Sequence, residues 1–326
     1  MLKSVTQRVF QLAALQERSR APLVLFSLAM VGFTVVSLLG LALDSRTIMG
    51  QPAWLKPMKF GVSITMYTLS TAWLLGFVRT DRPALRRAAA LIAWVTVAVF
   101  TVEIIPLTLQ TLRGTMSHFN VATPFDAFLF GLMGVAITIL WFANFALAII
   151  LLFQPFANPA LGWSVRLGLM ITLVGMAVGY LMTTPTPEQR AAWEQGAPVR
   201  VIGAHAVGVP DGGPGLPVTG WSTEGGDLRI PHFFGLHALQ VIPAVGGWIA
   251  RRSRLSSRQQ VQLVWTASFA YLGVVLLLTW QALRGKPLLK PDALTIGAFA
   301  ALAELTLLAV ALIARPRLAR RRAPAG

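Results

Sequence analysis

Residues 201–243 read VIGAHAVGVPDGGPGLPVTGWSTEGGDLRIPHFFGLHALQVIP, and the rest of the chain is interpreted outward from this stretch. It holds three of the four histidines, three carboxylates and a dense run of Gly and Pro, and then enters an apolar helix. Gly and Pro favour turns, whereas a long apolar run is typical of a membrane-spanning helix. The stretch therefore predicts a polar loop that passes directly into the membrane.

The composition predicts an integral membrane protein. Charged residues make up 12% of the 326 residues and hydrophobic residues 55%, whereas a soluble domain carries about a quarter charged residues. The strand-like alternation of a membrane barrel is absent, so the expected fold class is all-α. Cysteine is absent as well, which excludes a disulfide framework, a thiolate metal site and a catalytic thiol.

Eight membrane-spanning helices are predicted, each from a run of about 20 apolar residues. Their approximate bounds are Ala21–Leu43, Pro57–Val78, Ala88–Leu109, Ala127–Phe153, Trp163–Leu181, His232–Ala250, Val261–Leu283 and Ala293–Ala314. Residues 1–20 are predicted to form a basic amphipathic tail. Residues 21–181 would hold helices one to five, residues 182–231 a long loop, residues 232–314 helices six to eight, and residues 315–326 a second basic tail.

The basic residues predict the orientation of these helices. The net charge of +16 does not indicate nucleic-acid binding, because most Lys and Arg lie in short connections beside the apolar runs. They concentrate in alternate connections, which predicts that both termini are cytoplasmic in a bacterial inner membrane. All four histidines and most carboxylates then lie on the outer side.

The loop of residues 182–231 is longer than most connections, and such loops are often lids or binding elements. Thr186, Pro187 and Gln189 have the pattern of an N-cap, a first-turn proline and a capping-box partner, which predicts a short helix that carries Trp193. A short strand is predicted near residues 199–202. The loop is expected to fold as a cap over the outer end of the bundle, with a flexible linker as the alternative.

The histidines and acids predict a metal site on the outer side. Imidazole and carboxylate ligands suit Zn, Fe or Cu, whereas haem b would need two facing histidines inside the membrane, where only His237 clearly lies. Glu103 and Asp126 are expected to be further ligands or acid–base groups. The predicted metal ligands are His118, His205, His232 and His237.

Polar residues around these groups are predicted to bind a substrate. They are Lys59, Gln110, Arg113, Asn120, Trp221, Asp227, Arg229 and Gln240. Glu304 stands apart near the middle of the eighth predicted helix, where a carboxylate costs about 2.5–3.5 kcal/mol. It is predicted to act as a proton relay or to bond to Asn144.

His118, Asp126, His232 and His237, with Ser117 adjacent, loosely resemble the zinc site of the transmembrane hydrolases that include alkaline ceramidases and adiponectin-type receptors. The resemblance implies a zinc-dependent hydrolase. The spacing departs from that family, which places Ser and His about a helical turn apart and its last two histidines at i and i+4. Here Ser117 and His118 are consecutive and the pair is at i and i+5, so the chain is not assigned to the family.

Three functions stay open on the sequence alone. The first is a metal-dependent hydrolase or oxidoreductase that acts on a lipid or quinone-like substrate. The second is a transporter or solute-binding protein that uses Glu103, Lys59 and Glu304. The third is a structural or assembly protein whose polar outer face binds a partner. The lipid bilayer is the expected environment in each case.

Overall fold

A computed structural model describes residues 2–315, with side chains described from Glu17 onward. The predicted C-terminal tail after Arg315, and the amphipathic side-chain pattern of residues 1–16, lie outside the described residues. The helices are α1 Leu2–Leu43, α2 Leu55–Leu75, α3 Pro83–Leu112, α4 Pro124–Leu152, α5 Pro159–Met182, α6 Pro187–Glu194, α7 Arg229–Ala250, α8 Ser257–Leu283 and α9 Ala293–Ala314. Two short antiparallel pairs join β1 Thr47–Ile48 to β2 Gln51–Pro52, and β3 Ala206–Val207 to β4 Gly226–Asp227.

Seven of the described helices are long and apolar enough to cross a membrane, namely α1 from Glu17 onward, α3, α4, α5, α7, α8 and α9. The predicted all-α, multi-pass membrane architecture is thereby confirmed. The helix α2 matches the second predicted span but is not among the seven; its sequence contains Lys, Ser and Thr residues, which lower its mean hydropathy.

The helix α2 lies antiparallel along α1. Trp54, just before α2, lies against Gly40, while Gly61 lies against Thr34 and Gly76 near Arg20. These contacts follow α1 over 20 residues, or about 30 Å at 1.5 Å per residue. The helix α2 therefore accompanies α1 over a length similar to the hydrocarbon core of a membrane.

The predicted tail at residues 1–20 and the first predicted span belong to one continuous helix. The backbone of α1 is helical without interruption from Leu2 to Leu43. Residues 11–20, QLAALQERSR, are almost all strong helix formers, so the helix continues through them into the apolar run.

The eight long helices alternate in direction, so that the connections gather at two ends of the bundle. One end, here called the cap end, holds residues 44–54, 113–123, 183–228 and 284–292; there the Arg46 guanidinium donates to the Leu112 carbonyl at 3.0 Å. The other end, the arginine end, holds residues 76–82, 153–158 and 251–256; there the backbone N–H of Arg79 donates to Gln154 Oε1 at 3.0 Å.

The helices α5 and α7 cross in backbone contact, and together they hold the two ends of the long loop. A Cβ atom built on Gly175 would lie 2.5 Å from the Gly235 Cα atom, and one built on Gly246 would lie 2.2 Å from Ser164 Cβ. Small residues at a membrane helix interface allow this approach and strengthen packing between the helices.

The helix α9 packs against α8 and is otherwise open. Thr295 is the one buried residue described in α9, and it lies in the first turn. Arg284, just after α8, pairs with Asp292 at the N-terminus of α9 and fixes this connection at the cap end.

Candidate functional site

The most concentrated group of ionisable side chains lies at the cap end, where α2, α3 and the α3–α4 connection meet. Lys56 belongs to the first turn of α2, Glu103 lies inside α3, and Ser117 and His118 belong to the connection. The Lys56 Nζ atom lies 3.1 Å from His118 Nδ1, and His118 Nε2 lies 3.8 Å from a Glu103 carboxylate oxygen. The imidazole therefore stands between an ammonium group and a carboxylate.

The hydrogen bonds around His118 assign its tautomer. An ammonium group only donates, so Nδ1, which faces Lys56, must accept, and the ring proton lies on Nε2 toward Glu103. Ser117 Oγ lies 3.0 Å from the same Nδ1 atom. Burial lowers the pKa of His118 well below its usual value, and the charges of Lys56 and His205 lower it further, so the ring is neutral at pH 7.

Glu103 is the most unusual member of this group. Its side chain is 2% exposed, and its Oε1 atom is one of three buried side-chain atoms without a hydrogen-bond partner among the described residues. A buried polar atom without a partner costs about 1–3 kcal/mol, and ionisable groups in membrane helices commonly mark proton or substrate paths. Glu103 is therefore available for a partner that the protein itself does not supply.

Three aromatic rings enclose His118. The Phe60 ring centroid lies 5.8 Å from that of His118, and those of Phe119 and Phe130 each lie 6.4 Å away. Phe119 has a backbone φ of 65°, which is uncommon for a residue other than Gly and costs of order 1 kcal/mol. The backbone N–H of Ile202 in the long loop donates to the Phe119 carbonyl at 2.9 Å and helps to hold it there.

The long loop brings a second histidine into contact with Phe119. The rings of His205 and Phe119 meet edge to face at 4.7 Å, and His205 Nδ1 lies 2.8 Å from an Asp211 carboxylate oxygen. Burial raises the pKa of Asp211, but the side chain of His205 and the backbone N–H groups of His205 and Ala206 outweigh it and bring that pKa to about 2. The ionised Asp211 carboxylate accepts a hydrogen bond from His205 Nδ1 and so orients the imidazole. Because burial lowers the pKa of His205, the ring is neutral at pH 7 and its Nε2 atom is a hydrogen-bond acceptor.

These shifts predict that acid destabilises the cap end. The unfolded histidines bind protons near pH 6.5, whereas His118 and His205 bind them at lower pH when folded, so their contribution to stability is complete above pH 6.5 and falls below it. Asp211 contributes above its unfolded pKa near 4 and loses that contribution as the pH falls toward 2. We expect the thermal midpoint to fall between pH 7.5 and 5, and to fall less in a His118→Gln/His205→Gln variant. A midpoint unchanged by acid would contradict this.

The long loop carries the predicted cap helix. Thr186 and Gln189 form a reciprocal capping box at the N-terminus of α6, which confirms this part of the sequence analysis. The predicted strand at residues 199–202 is reduced to a single bridge between Val201 and Asn120. The segment that follows pairs with Gly226 and Asp227, so the middle of the loop is held between the α3–α4 connection and the start of α7.

Several predicted substrate-binding residues form hydrogen bonds that hold this loop in place. Asp227, whose side chain is fully buried, accepts from the Arg229 guanidinium at 2.5 Å and from the Ser222 backbone N–H at 2.8 Å. Arg229 also donates to the Gly220 carbonyl, and Lys59 donates to the Thr219 carbonyl at 3.1 Å. A separate ring contact joins Trp221 to Phe233.

Asp126, predicted as a metal ligand or an acid–base group, lies in the first turn of α4. Its carboxylate accepts from Gln110 at 2.8 Å, from Arg113 at 2.6 Å and from the Thr123 hydroxyl at 2.7 Å, and Thr123 in turn caps the helix. Asn120 bonds to Thr115 and to the backbone of its own connection. Both residues thus order the α3–α4 connection that carries His118.

The other two histidines bond within the helices that carry or neighbour them. His232 Nδ1 lies 2.8 Å from the Gly175 carbonyl of α5. His237 Nδ1 lies 3.3 Å from Gln240 Oε1, on the shared face that their spacing predicts, and Gln240 donates to Ser70 of α2.

A metal site on the four histidines is therefore not supported. Among the described residues, no three His, Cys, Asp or Glu side chains come close enough to hold a metal ion. The physical reason is that each imidazole has its own partner, and the four partners lie on four different parts of the chain. They are Lys56 of α2 for His118, Asp211 of the long loop for His205, Gly175 of α5 for His232 and Gln240 of α7 for His237.

Glu304 lies on the open face of α9, exposed outside the bundle. Its predicted partner Asn144 accepts instead from the Tyr67 hydroxyl at 2.7 Å. Glu103 belongs to α3, whereas α9 packs against α8.

Comparison with models of protein families, with curated proteins and with solved structures gave no match.

Proposed function

We propose that Lys56, His118 and Glu103 form a proton-transfer site that acts on the polar head of a lipid-like or quinone-like molecule. The observation that carries this proposal is the buried Glu103 oxygen without a partner, placed beside an imidazole that also contacts an ammonium group. His118 can pass a proton from one nitrogen to the other between these two groups. Such hydrogen bonds are often long before the substrate binds, which accommodates the 3.8 Å separation.

The surroundings of His118 support an amphipathic substrate. Phe60, Phe119 and Phe130 provide apolar ring faces, while Lys56 and the Ser117 hydroxyl provide hydrogen-bond donors beside the imidazole. Small-molecule sites commonly combine such an apolar lining with a few polar groups that orient the ligand. The His205–Asp211 pair, which contacts Phe119, would hold the long loop closed over this site.

We also propose a membrane topology. The chain crosses the membrane eight times, α2 is the second crossing, and both termini lie at the arginine end. The antiparallel contact of α2 with α1 supports the count, and the concentration of Arg at one end favours that end being cytoplasmic in a bacterial inner membrane. A reporter fused after Gly212 is expected to be active only outside the cytoplasm. Activity on the cytoplasmic side would overturn the orientation.

The proposed activity is tested with purified protein in vesicles made from a bacterial lipid extract that contains quinones. Mass spectrometry before and after incubation identifies any lipid that the wild type converts. We expect conversion to fall at least tenfold in Glu103→Gln and in His118→Gln, because general acid–base groups contribute about 10²–10⁴-fold. The matched control is Glu224→Gln, which changes an exposed carboxylate of the cap loop.

Two results would contradict the proposed activity. One is full conversion by Glu103→Gln, and the other is a wild type that converts no component of the extract. In the second case, a pH-sensitive dye inside the same vesicles measures proton movement.

Proton-coupled transport is the second candidate, because polar contacts continue down the bundle below Glu103. The Tyr67–Asn144 and Gln240–Ser70 hydrogen bonds link α2 to α4 and to α7. If the dye reports acidification by the wild type while the lipids stay unchanged, and Glu103→Gln abolishes that acidification, transport is favoured over the enzyme.

A further inference from the structure

A second site lies at the arginine end, where a cavity of about 530 Å³ opens between α2, α5 and α7. Trp73 and Trp248 line it and are 43% and 59% exposed. Leu161 and Pro243 form further apolar wall, and Gly247 leaves the cavity open, because a Cβ atom built there would meet nothing within 4 Å. The lining is therefore apolar with two indole rings near the ends of their helices, where tryptophan in membrane proteins commonly meets the lipid headgroups.

The polar residues of this cavity all favour an anion. Asn158 is the N-cap of α5, and its Oδ1 atom accepts from the Leu161 backbone N–H at 3.0 Å, which leaves its amide N–H groups to donate. The N-terminus of α5, which starts at this residue, adds positive potential. Arg251 is exposed and takes part in none of the ion pairs among the described residues. It lines the cavity together with Asn158, and no carboxylate is among the lining residues.

We propose that this cavity binds an anionic phospholipid, with the phosphate at Asn158 and Arg251 and an acyl chain between Trp73 and Trp248. The cation and the amide donors recognise the phosphate, and the apolar wall recognises the chain. A free phosphate ion would use the first feature without the second. The site is separate from the proton-transfer site, which lies at the opposite end of the bundle.

The proposal is tested with full-length protein purified in detergent, to which phosphatidylglycerol, phosphatidylcholine or inorganic phosphate is added. Native mass spectrometry measures the lipid retained, and the thermal midpoint reports stabilisation. For the wild type we expect phosphatidylglycerol to be retained at least fivefold more than phosphatidylcholine and to raise the midpoint. Inorganic phosphate should leave the midpoint unchanged.

Two variants and two controls locate the effect. Gly247→Leu fills the cavity and Arg251→Gln removes the cation, so each should reduce the preference for phosphatidylglycerol to less than twofold. Arg254→Gln, which changes an exposed arginine at the same end outside the lining, and Gly131→Leu, in open space on α4, should keep it. Should Gly247→Leu fail to fold, Arg251→Gln carries the test alone.

The proposal is overturned by equal retention of the two lipids in the wild type, or by a preference that persists in both variants. A midpoint increase with inorganic phosphate equal to that with phosphatidylglycerol would also overturn it, because the cavity would then recognise the phosphate group without the lipid.

Discussion

Gly175→Leu is expected to prevent α5 and α7 from packing, so that only a small fraction of the protein folds. Even a single Cβ atom at Gly175 would lie 2.4 Å from the Gly235 carbonyl carbon and 2.7 Å from the Leu236 nitrogen, both of which are backbone atoms and cannot rotate away. Overpacking in a closely packed interior commonly costs about 1–3 kcal/mol, and here the whole helix must move. The thermal midpoint and the fraction of monodisperse protein after purification measure the effect.

The matched control for this variant is Gly131→Leu in α4, where an added side chain meets nothing within 4 Å. It is expected to leave the midpoint within the error of the wild type. Gly175→Ala should lie between the two, because it adds only the first carbon. If Gly175→Leu were as stable as Gly131→Leu, the backbone contact between α5 and α7 would be refuted.

Arg229→Met is expected to destabilise the protein by about 3–5 kcal/mol, the usual cost when a buried ion pair loses one partner. The Asp227 side chain is fully buried, and Arg229 is its ion-pair partner among the described residues. The variant also loses the hydrogen bond from Arg229 to the Gly220 carbonyl, so residues 220–227 should become sensitive to protease before the helices unfold. Thermal unfolding and limited proteolysis measure the two effects.

An exposed pair gives the contrast for Arg229→Met. The side chains of Arg79 and Asp81 at the arginine end are 46% and 42% exposed, so Arg79→Met should cost less than about 1 kcal/mol. Asp227→Asn combined with Arg229→Met should recover part of the loss, because the buried charge is removed. A double variant no more stable than Arg229→Met would show that the charge of Asp227 is not the cause.

The features that could be predicted from the sequence are those with a local physical signal. Thr186 and Gln189 are three residues apart, and that spacing alone specifies the capping box of α6. His237 and Gln240 are three residues apart, a spacing that places them on one face of α7, and they are bonded. Thr123 and Asp126 have the same spacing, and the Thr123 side chain caps α4 by accepting from the Asp126 backbone N–H.

The features that could not be predicted depend on contacts between distant parts of the chain. Lys56 and His118 are 62 residues apart, and no periodicity indicates that they meet. Considered by itself, Lys56 has the pattern of a side chain that extends to the membrane surface. The left-handed backbone of Phe119 has no sequence signal, because it results from pairing with the long loop. The alternation of the arginines predicts that all four histidines lie on one side of the membrane, whereas α5 and Gln240 provide separate partners for His232 and His237.

The contact between Gly175 and Gly235 also limits how molecules reach His118. The helices α5 and α7 form the two stems of the long loop, and because their backbones touch, this contact would have to break before the stems could spread apart to admit a solute from the water above. Phe60 of α2 and Phe130 of α4 flank His118, so we expect a substrate dissolved in the bilayer to approach the imidazole sideways, past one of these rings. Selection at such an approach depends first on partitioning into the bilayer, so hydrophobic compounds would reach the imidazole while water-soluble ones of the same head chemistry would not.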